Sequence, residues 1–415
     1  MKHLLHILLT IATLSIFSSC HTTQEKEAAI LQAGTWRGEI TMQGMGLPFN
    51  FIVKKDSGNY KITLVNSIEK IELDEIVVKN DSVFITLHIF DIDIEAKING
   101  NKLEGIYRKN YLEDYELPFT ATFGDKYTRR ENSEPENSKF DGKWQVQFTE
   151  PGGKTYPSIG IFNTTEEKLK GTFLTLLGDY RYLEGFTNGN GMLLSTFDGN
   201  HAFIFKAKLI NDSTLMGDFW SGKSWHETWT ATKNPKAALP SYLETTYLKE
   251  GYEKVDFSLP DLEGNLVSPT DKKYENKVVL LQIFGTWCPN CMDETKFYTN
   301  WYSKNKDRGV EIIALAYEQK DDFGYAKSRV TKMKERYQAN YDFVIAGTSN
   351  KEAASKSLPM LNEIISFPTS IFIDRKGNVR RIHTGFTGPA TGVYYEQFVE
   401  DFNDFMDQLL AETGN

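Results

Sequence analysis

Cysteine is scarce in this chain: 415 residues hold three, Cys20, Cys288 and Cys291. So small a number excludes a scaffold stapled by a disulfide framework. A structural zinc ion needs about four ligands, yet there is no second close cysteine pair and the seven histidines are dispersed without ligand spacing. No metal is expected. A glycine-rich phosphate loop is also missing, which leaves no nucleotide cofactor to invoke. Positive charge is in deficit, with 47 Lys and Arg against 56 Asp and Glu for a net charge of -9. Scattered basic residues on an acidic chain argue against a nucleic-acid partner. Long hydrophobic runs are lacking too, because the apolar stretch from Leu4 to Phe17 is broken by His6, Thr10, Thr13 and Ser15 and is too short to span a bilayer.

That stretch follows Met1-Lys2-His3 and reads as an export signal. Its end, Phe17-Ser18-Ser19-Cys20, resembles the lipobox of bacterial lipoproteins. The resemblance implies a signal over residues 1–19, then a lipidated Cys20 and a polar tether over 20–33. The expected location is the cell envelope of a Gram-negative-type bacterium, as a periplasm-facing lipoprotein. Ordinary signal cleavage, with Cys20 left as a free thiol, is the alternative. If Cys20 is lipidated its sulfur is a thioether, and Cys288 and Cys291 are the remaining thiols.

With 40% hydrophobic and 25% charged residues, the chain has enough apolar surface for several cores, and its length suggests two or three domains. Residues 34–128 carry strand signals: Ile92 to Ile98 alternates with period two, Val83 to Leu87 is a compact apolar run, and Asn99-Gly100 is a hairpin turn. The charged, proline-containing stretch 129–139 reads as a linker. Residues 140–233 look like a second copy of the first unit. Trp36 has its counterpart in Trp144, Leu103-Glu104-Gly105 in Leu215-Met216-Gly217, and Phe119-Thr120-Ala121-Thr122 in Trp229-Thr230-Ala231-Thr232. Three matches in the same order at nearly equal separations point to duplication. Each unit is expected to be an antiparallel barrel or sandwich of about eight strands, and the sequence does not tell whether the two close separately or pack as one body. A linker over 234–251, partly helical, leads to residues 252–415, where strands and helices alternate as in an α/β sheet with crossovers. The fold class is therefore multidomain, two duplicated antiparallel β units followed by an α/β domain.

Within that last domain the apolar run Val278 to Phe284 reads as a strand buried on both faces. Cys288-Pro289-Asn290-Cys291 follows at the start of a helix. This places Cys288 at the N-cap, Pro289 at the first helical position where its missing N–H costs nothing, and Cys291 one turn inside. Free backbone N–H groups at a helix start favour a thiolate on Cys288, and a deeper Cys291 can resolve a mixed disulfide.

The segment Phe284-Gly285-Thr286-Trp287-Cys288-Pro289-Asn290-Cys291 resembles the active-site segment of the thioredoxin superfamily. Its Gly-Thr-Trp lead-in, with the preceding Val255 to Gly264, is similar to the TlpA/ResA branch of membrane-tethered disulfide reductases. The resemblance implies a thioredoxin-like domain in which Cys288 is the nucleophile, Cys291 resolves, and Pro368 of Phe367-Pro368-Thr369 is cis. Trp287, Pro289, Phe367 and Thr369 would border the substrate groove. It further implies a redox-active disulfide in place of a cofactor, substrate proteins with thiols or disulfides, and an electron donor in the membrane. Glu294 matches an acidic residue that tunes the cysteines in this branch; the competing reading is a solvated carboxylate in the first turns of the helix. Gln282 stands where cytoplasmic thioredoxins keep a buried Asp, and a neutral amide is no base. Trp287 is either a surface platform beside the pair or a structural aromatic.

Two other functions compete with disulfide reduction. The β units could bind an envelope component, the redox domain being accessory, and the mixed aromatic and charged segments Gly178 to Tyr182 and Phe197 to His201 could line a recognition surface. Turn chemistry and edge-strand charge explain the same segments. A thiol peroxidase would need a hydroxyl three residues before its reactive cysteine and a proline four residues earlier; Gly285 and Leu281 occupy those positions.

Overall fold

The computed structural model describes residues 30–87, 89–124, 129, 137–165, 168–241 and 245–413. Cys20, the leader and residues 125–128 and 130–136 lie outside them.

Alternation builds the first sheet. Ile92, Ile94, Ala96 and Ile98 are buried while the residues between them face outward, and Gly100 takes φ +59° in the turn that pairs Asn99 with Lys102. Nine antiparallel strands run up and down between Gly34 and Phe123, and the first (Gly34–Met42) pairs with both the second (Met45–Asp56) and the last (Glu116–Phe123). The sheet is barrel-like, its one seam lying between Glu69–Leu73 and Ile76–Lys79.

The second sheet closes fully. Thr155–Thr165 pairs with Gly142–Thr149 on one side and Lys168–Thr175 on the other, making a ring of eight strands. A ninth, two-residue strand, Gly178–Asp179, is attached to Lys168–Thr175. Closure removes the unpaired edges that an open sheet would expose, so the sandwich alternative gives way to barrel-like sheets. The residues matched between the two units occupy matched registers: Gly38 faces Ala121 and Val146 faces Ala231, while Gly105 faces Phe119 and Gly217 faces Trp229. Trp36 and Trp144 each donate an indole N–H to the carbonyl four residues earlier, at 3.0 and 2.8 Å.

The two barrels pack against each other. Phe49 of the first meets Phe197 of the second at 4.5 Å between ring centres. Arg129, in the stretch that reads as a linker, is buried between them. Its guanidinium donates to the carbonyls of Val65 at 2.9 Å and Glu184 at 3.0 Å, and to Asn66 Oδ1 at 2.8 Å. The described residues of 234–251 form no helix, and residues 242–244 lie outside them.

The C-terminal sheet has five strands, β1 (Val278–Phe284), β2 (Val310–Glu318), β3 (Asp342–Thr348), β4 (Thr369–Ile373) and β5 (Val379–Thr384), in the order β3-β2-β1-β4-β5. The three strands β1 to β3 are parallel, and β4 and β5 antiparallel to their neighbours. All seven residues of central β1 are buried, as a strand covered on both faces requires. Helices α1 (Pro289–Asn305), α2 (Phe323–Tyr337), α3 (Lys351–Ser357) and α4 (Val393–Ala411) complete the domain. Helices α1 and α4 pack through Phe297, Trp301 and Phe402, and α2 holds the first barrel through Arg336 and Asp74 at 2.9 Å.

Removing one partner from a buried polar network leaves the other groups unpaired. Arg129→Ala is therefore expected to lower stability by about 3–5 kcal/mol, read from the denaturant midpoint of the full chain; a change below about 1 kcal/mol would mean that the two barrels do not depend on this residue.

Candidate active site

Strand β1 delivers the chain to the start of α1, and Cys288 sits at the N-cap in extended conformation (φ -100°, ψ 112°). Its sulfur receives the backbone N–H of Cys291 at 3.4 Å, and its thiol lies 3.4 Å from the carbonyl oxygen of Phe367. The Phe367–Pro368 peptide bond is cis. Both cysteines are free thiols; Cys288 is 6% exposed and Cys291 fully buried. Burial, reinforced by the neighbouring Cys288 sulfur, pushes the Cys291 thiol well above its usual range.

Glu294 lies one turn beyond Cys291 and is fully buried, which excludes the solvated reading. Gln282 on β1 donates its amide to Glu294 Oε2 at 2.9 Å, Ser370 on β4 donates to Oε1 at 2.9 Å, and the Tyr298 hydroxyl lies 3.3 Å from the same oxygen. Desolvation raises the Glu294 carboxyl to about 8 against the pull of these hydrogen bonds. Its charge also adds to the upward push on Cys291. Gln282 is thus no substitute base; it is a donor to the acid on the helix facing it. A second buried carboxyl, Glu318 at the end of β2, accepts from the Thr286 N–H and hydroxyl at 2.9 and 2.8 Å. It fixes the lead-in to Cys288, and burial raises it to about 7.

Trp287 is half-buried. Its indole N–H donates to Tyr317 O at 2.9 Å and its ring meets Phe367 edge-on at 5.5 Å, so it is anchored beside Cys288 with part of its surface exposed. Thr369 is fully buried with its hydroxyl on Ser366 O at 2.9 Å. It supports the loop from behind, and does not border a groove as expected.

The second barrel closes over this loop. Asn290 donates to Asp179 O at 2.9 Å, and Arg181 donates to Pro289 O at 2.8 Å while pairing with Asp293. Asn200 donates to the carbonyl of Trp287, and Tyr111 of the first barrel holds Asn200 Oδ1 at 2.9 Å. These contacts come from the two segments singled out in the sequence, Gly178 to Tyr182 and Phe197 to His201. Their composition was the only signal; nothing in it shows that they meet residues roughly ninety to more than one hundred positions onward. No group of three or more acidic, cysteine or histidine side chains could hold a metal among the described residues.

The Redoxin family profile matches residues 249–394. Thiol-disulfide oxidoreductase ResA of Geobacillus thermodenitrificans is 33% identical over 144 residues, 35% of this chain and 74% of the relative. The chain belongs to the ResA-like thiol-disulfide oxidoreductases. ResA of Halalkalibacterium halodurans is 29% identical over 165 residues, covering 40% of this chain and 81% of its own. A putative thiol:disulfide interchange protein DsbE from Chlorobium tepidum, of known structure, aligns at 22% identity over 37% of this chain and 98% of its own, with a TM-score of 0.29. As a member of the thioredoxin superfamily, this oxidoreductase carries its redox domain at the C-terminus; the Redoxin match leaves both barrels outside it.

The raised Glu294 carboxyl has a measurable consequence. Its folded form keeps the proton from the usual 4.5 up to about 8, so the unfolded chain releases that proton first. Stability contributed by this group is present below pH 4.5 and is lost as pH rises to about 8, at roughly 1.4 kcal/mol per pH unit. Glu294→Gln removes this slope, while Asp179 and Glu318 act equally in both proteins. The urea midpoint of the variant should rise relative to that of wild type from pH 5 to pH 8, and the offset should then level off; parallel curves would contradict the assignment.

Proposed function

We propose that this oxidoreductase is an extracytoplasmic, lipid-anchored disulfide reductase that works through Cys288-Pro289-Asn290-Cys291. The observation that carries the reading is the placement of Cys288 at the N-cap of α1, its sulfur against the Phe367 carbonyl, with Cys291 buried one turn deeper. Helix-start N–H groups favour negative charge at the cap. Cys288 attacks one sulfur of a substrate disulfide, the S–S bond breaks, and one substrate sulfur leaves as a thiolate. Cys291 then loses its proton and attacks Cys288 Sγ, releasing the second substrate thiol and leaving Cys288 and Cys291 as a disulfide. Two electrons pass to the substrate, and a dithiol partner in the membrane returns them. Glu294 takes the proton from Cys291, since a carboxyl near 8 can exchange protons at neutral pH with a thiol that resists ionisation.

The reducing direction is supported by Cys291. A couple is oxidising when its reduced form is stabilised, and a thiolate at Cys291 is disfavoured by burial. The lipid anchor at Cys20 rests on the lipobox resemblance alone; among the described residues no helix is long and apolar enough to cross a membrane. The matched registers of the two barrels support their origin by duplication. Their contacts with the redox loop favour a share in substrate handling over a role as spacers, and binding of an envelope component is the second reading they allow.

Reduction of a protein disulfide by the full chain, supplied with a dithiol, is the direct assay. Cys288→Ala is expected to abolish turnover, and Cys291→Ala to stall as a one-to-one mixed disulfide with substrate. Turnover that survives Cys288→Ala would overturn the reading.

A further inference from the structure

The strand Lys168–Thr175 leaves the wall of the second barrel, turns at Leu176-Leu177, and returns as Gly178–Asp179 before reaching Arg181. The tip of this hairpin lies across the three loops that frame Cys288. Ser366, next to Phe367, donates its hydroxyl to Leu177 O at 3.1 Å. On the cysteine loop, Asn290 donates to Asp179 O at 2.9 Å and Arg181 reaches Pro289 O at 2.8 Å. Beyond β5, the Gly388 N–H donates to Asp179 Oδ1 at 3.3 Å.

The approach is close enough to require glycine. A Cβ on Gly178, at φ +128°, would stand 2.8 Å from Asn290 Nδ2, and one on Gly385 would stand 2.5 Å from the carbonyl carbon of Leu177. Backbone laid against backbone in this way occupies polar groups of the cysteine and proline loops that a second polypeptide chain lying beside Cys288 would otherwise meet. A disulfide without a bulky backbone needs only a line of approach to the sulfur.

From this geometry we propose that the Leu177–Arg181 tip is a specificity-determining element of the exchange reaction, occupying the ledge on which a polypeptide substrate would lie. Small disulfides reach Cys288 with the tip in place. A polypeptide disulfide reaches it by displacing the tip, so extended segments that can take over the contacts to Ser366 and Asn290 are the preferred protein substrates. The proposal rests on the reading of Cys288 as the nucleophile. When a polypeptide disulfide is attacked, its S–S bond is replaced by the Cys288 mixed disulfide and its partner sulfur leaves as the thiolate, so atoms and electrons balance without a further reactant.

The test uses the full chain carrying Cys291→Ala, which holds an adduct on Cys288. One sample receives a methylthio group from a small thiosulfonate, the other a peptide through its disulfide, and hydrogen exchange is read at the amides of residues 176–181. The peptide adduct is expected to raise exchange there about tenfold or more, and the methylthio adduct to leave it within about twofold of the unmodified protein. Equal protection in both adducts overturns the proposal. Gly178→Ala, which pushes the tip off Asn290, should raise the rate with peptide disulfide relative to small disulfide by about tenfold, a unit of roughly 1.4 kcal/mol; an unchanged ratio in a folded variant also overturns it. Formation of neither adduct contradicts the nucleophile assignment itself, a result distinct from an adduct that forms beneath a protected tip.

Discussion

The guanidinium of Arg181 is the joint on which the arrangement of this protein turns. It is buried and meets Glu69 of the first barrel, Asp198 of its own barrel and Asp293 of α1, with the Pro289 carbonyl completing the set. One cation among three carboxylates is a costly cluster to remove from water, and it is satisfied only when all three parts of the chain are in place. Arg181 itself takes φ +58°, a left-handed conformation uncommon outside glycine. The consequence is that the environment of the cysteine loop is set by residues far from it in sequence.

Desolvation then does the chemical work. The same exclusion of water that keeps the Cys291 thiol protonated raises Glu294 to about 8 and Glu318 and Asp179 to about 7. Carboxyls that in water would be fully ionised are brought into the range where protons move at neutral pH. Of the three, Glu294 stands nearest in chain to the Cys291 thiol, and Gln282, Ser370 and Tyr298 fix both of its oxygens. Glu318 instead secures Thr286, two residues before Cys288.

Much of this is written locally. The cysteine pair, its N-cap position and the buried strand before it follow from residues within a single strand-turn-helix, and the period-two alternation of Ile92 to Ile98 places the barrel interior correctly. Glu294 was ambiguous because a carboxylate in the first turns of a helix is usually solvated; its burial depends on Ser370 and Tyr298, which only the packed sheet brings near. Gln282 looked like a lost base for the same reason, since its partner lies on another element. Arg129 lies in a stretch whose charged neighbours read as a linker, and nothing local shows that its own side chain fills a space between two barrels. The hairpin tip was visible as composition and invisible as a contact, because pairing across more than one hundred residues leaves no local pattern.

The most direct test of the account is the equilibrium of the Cys288 and Cys291 couple. The full chain is brought to balance with glutathione buffers of graded poise, and the fraction oxidised is read by mass after thiol blocking. A single two-electron transition at a potential more reducing than the glutathione couple is predicted. A strongly oxidising midpoint, or cysteines that never form a disulfide with each other, would contradict it.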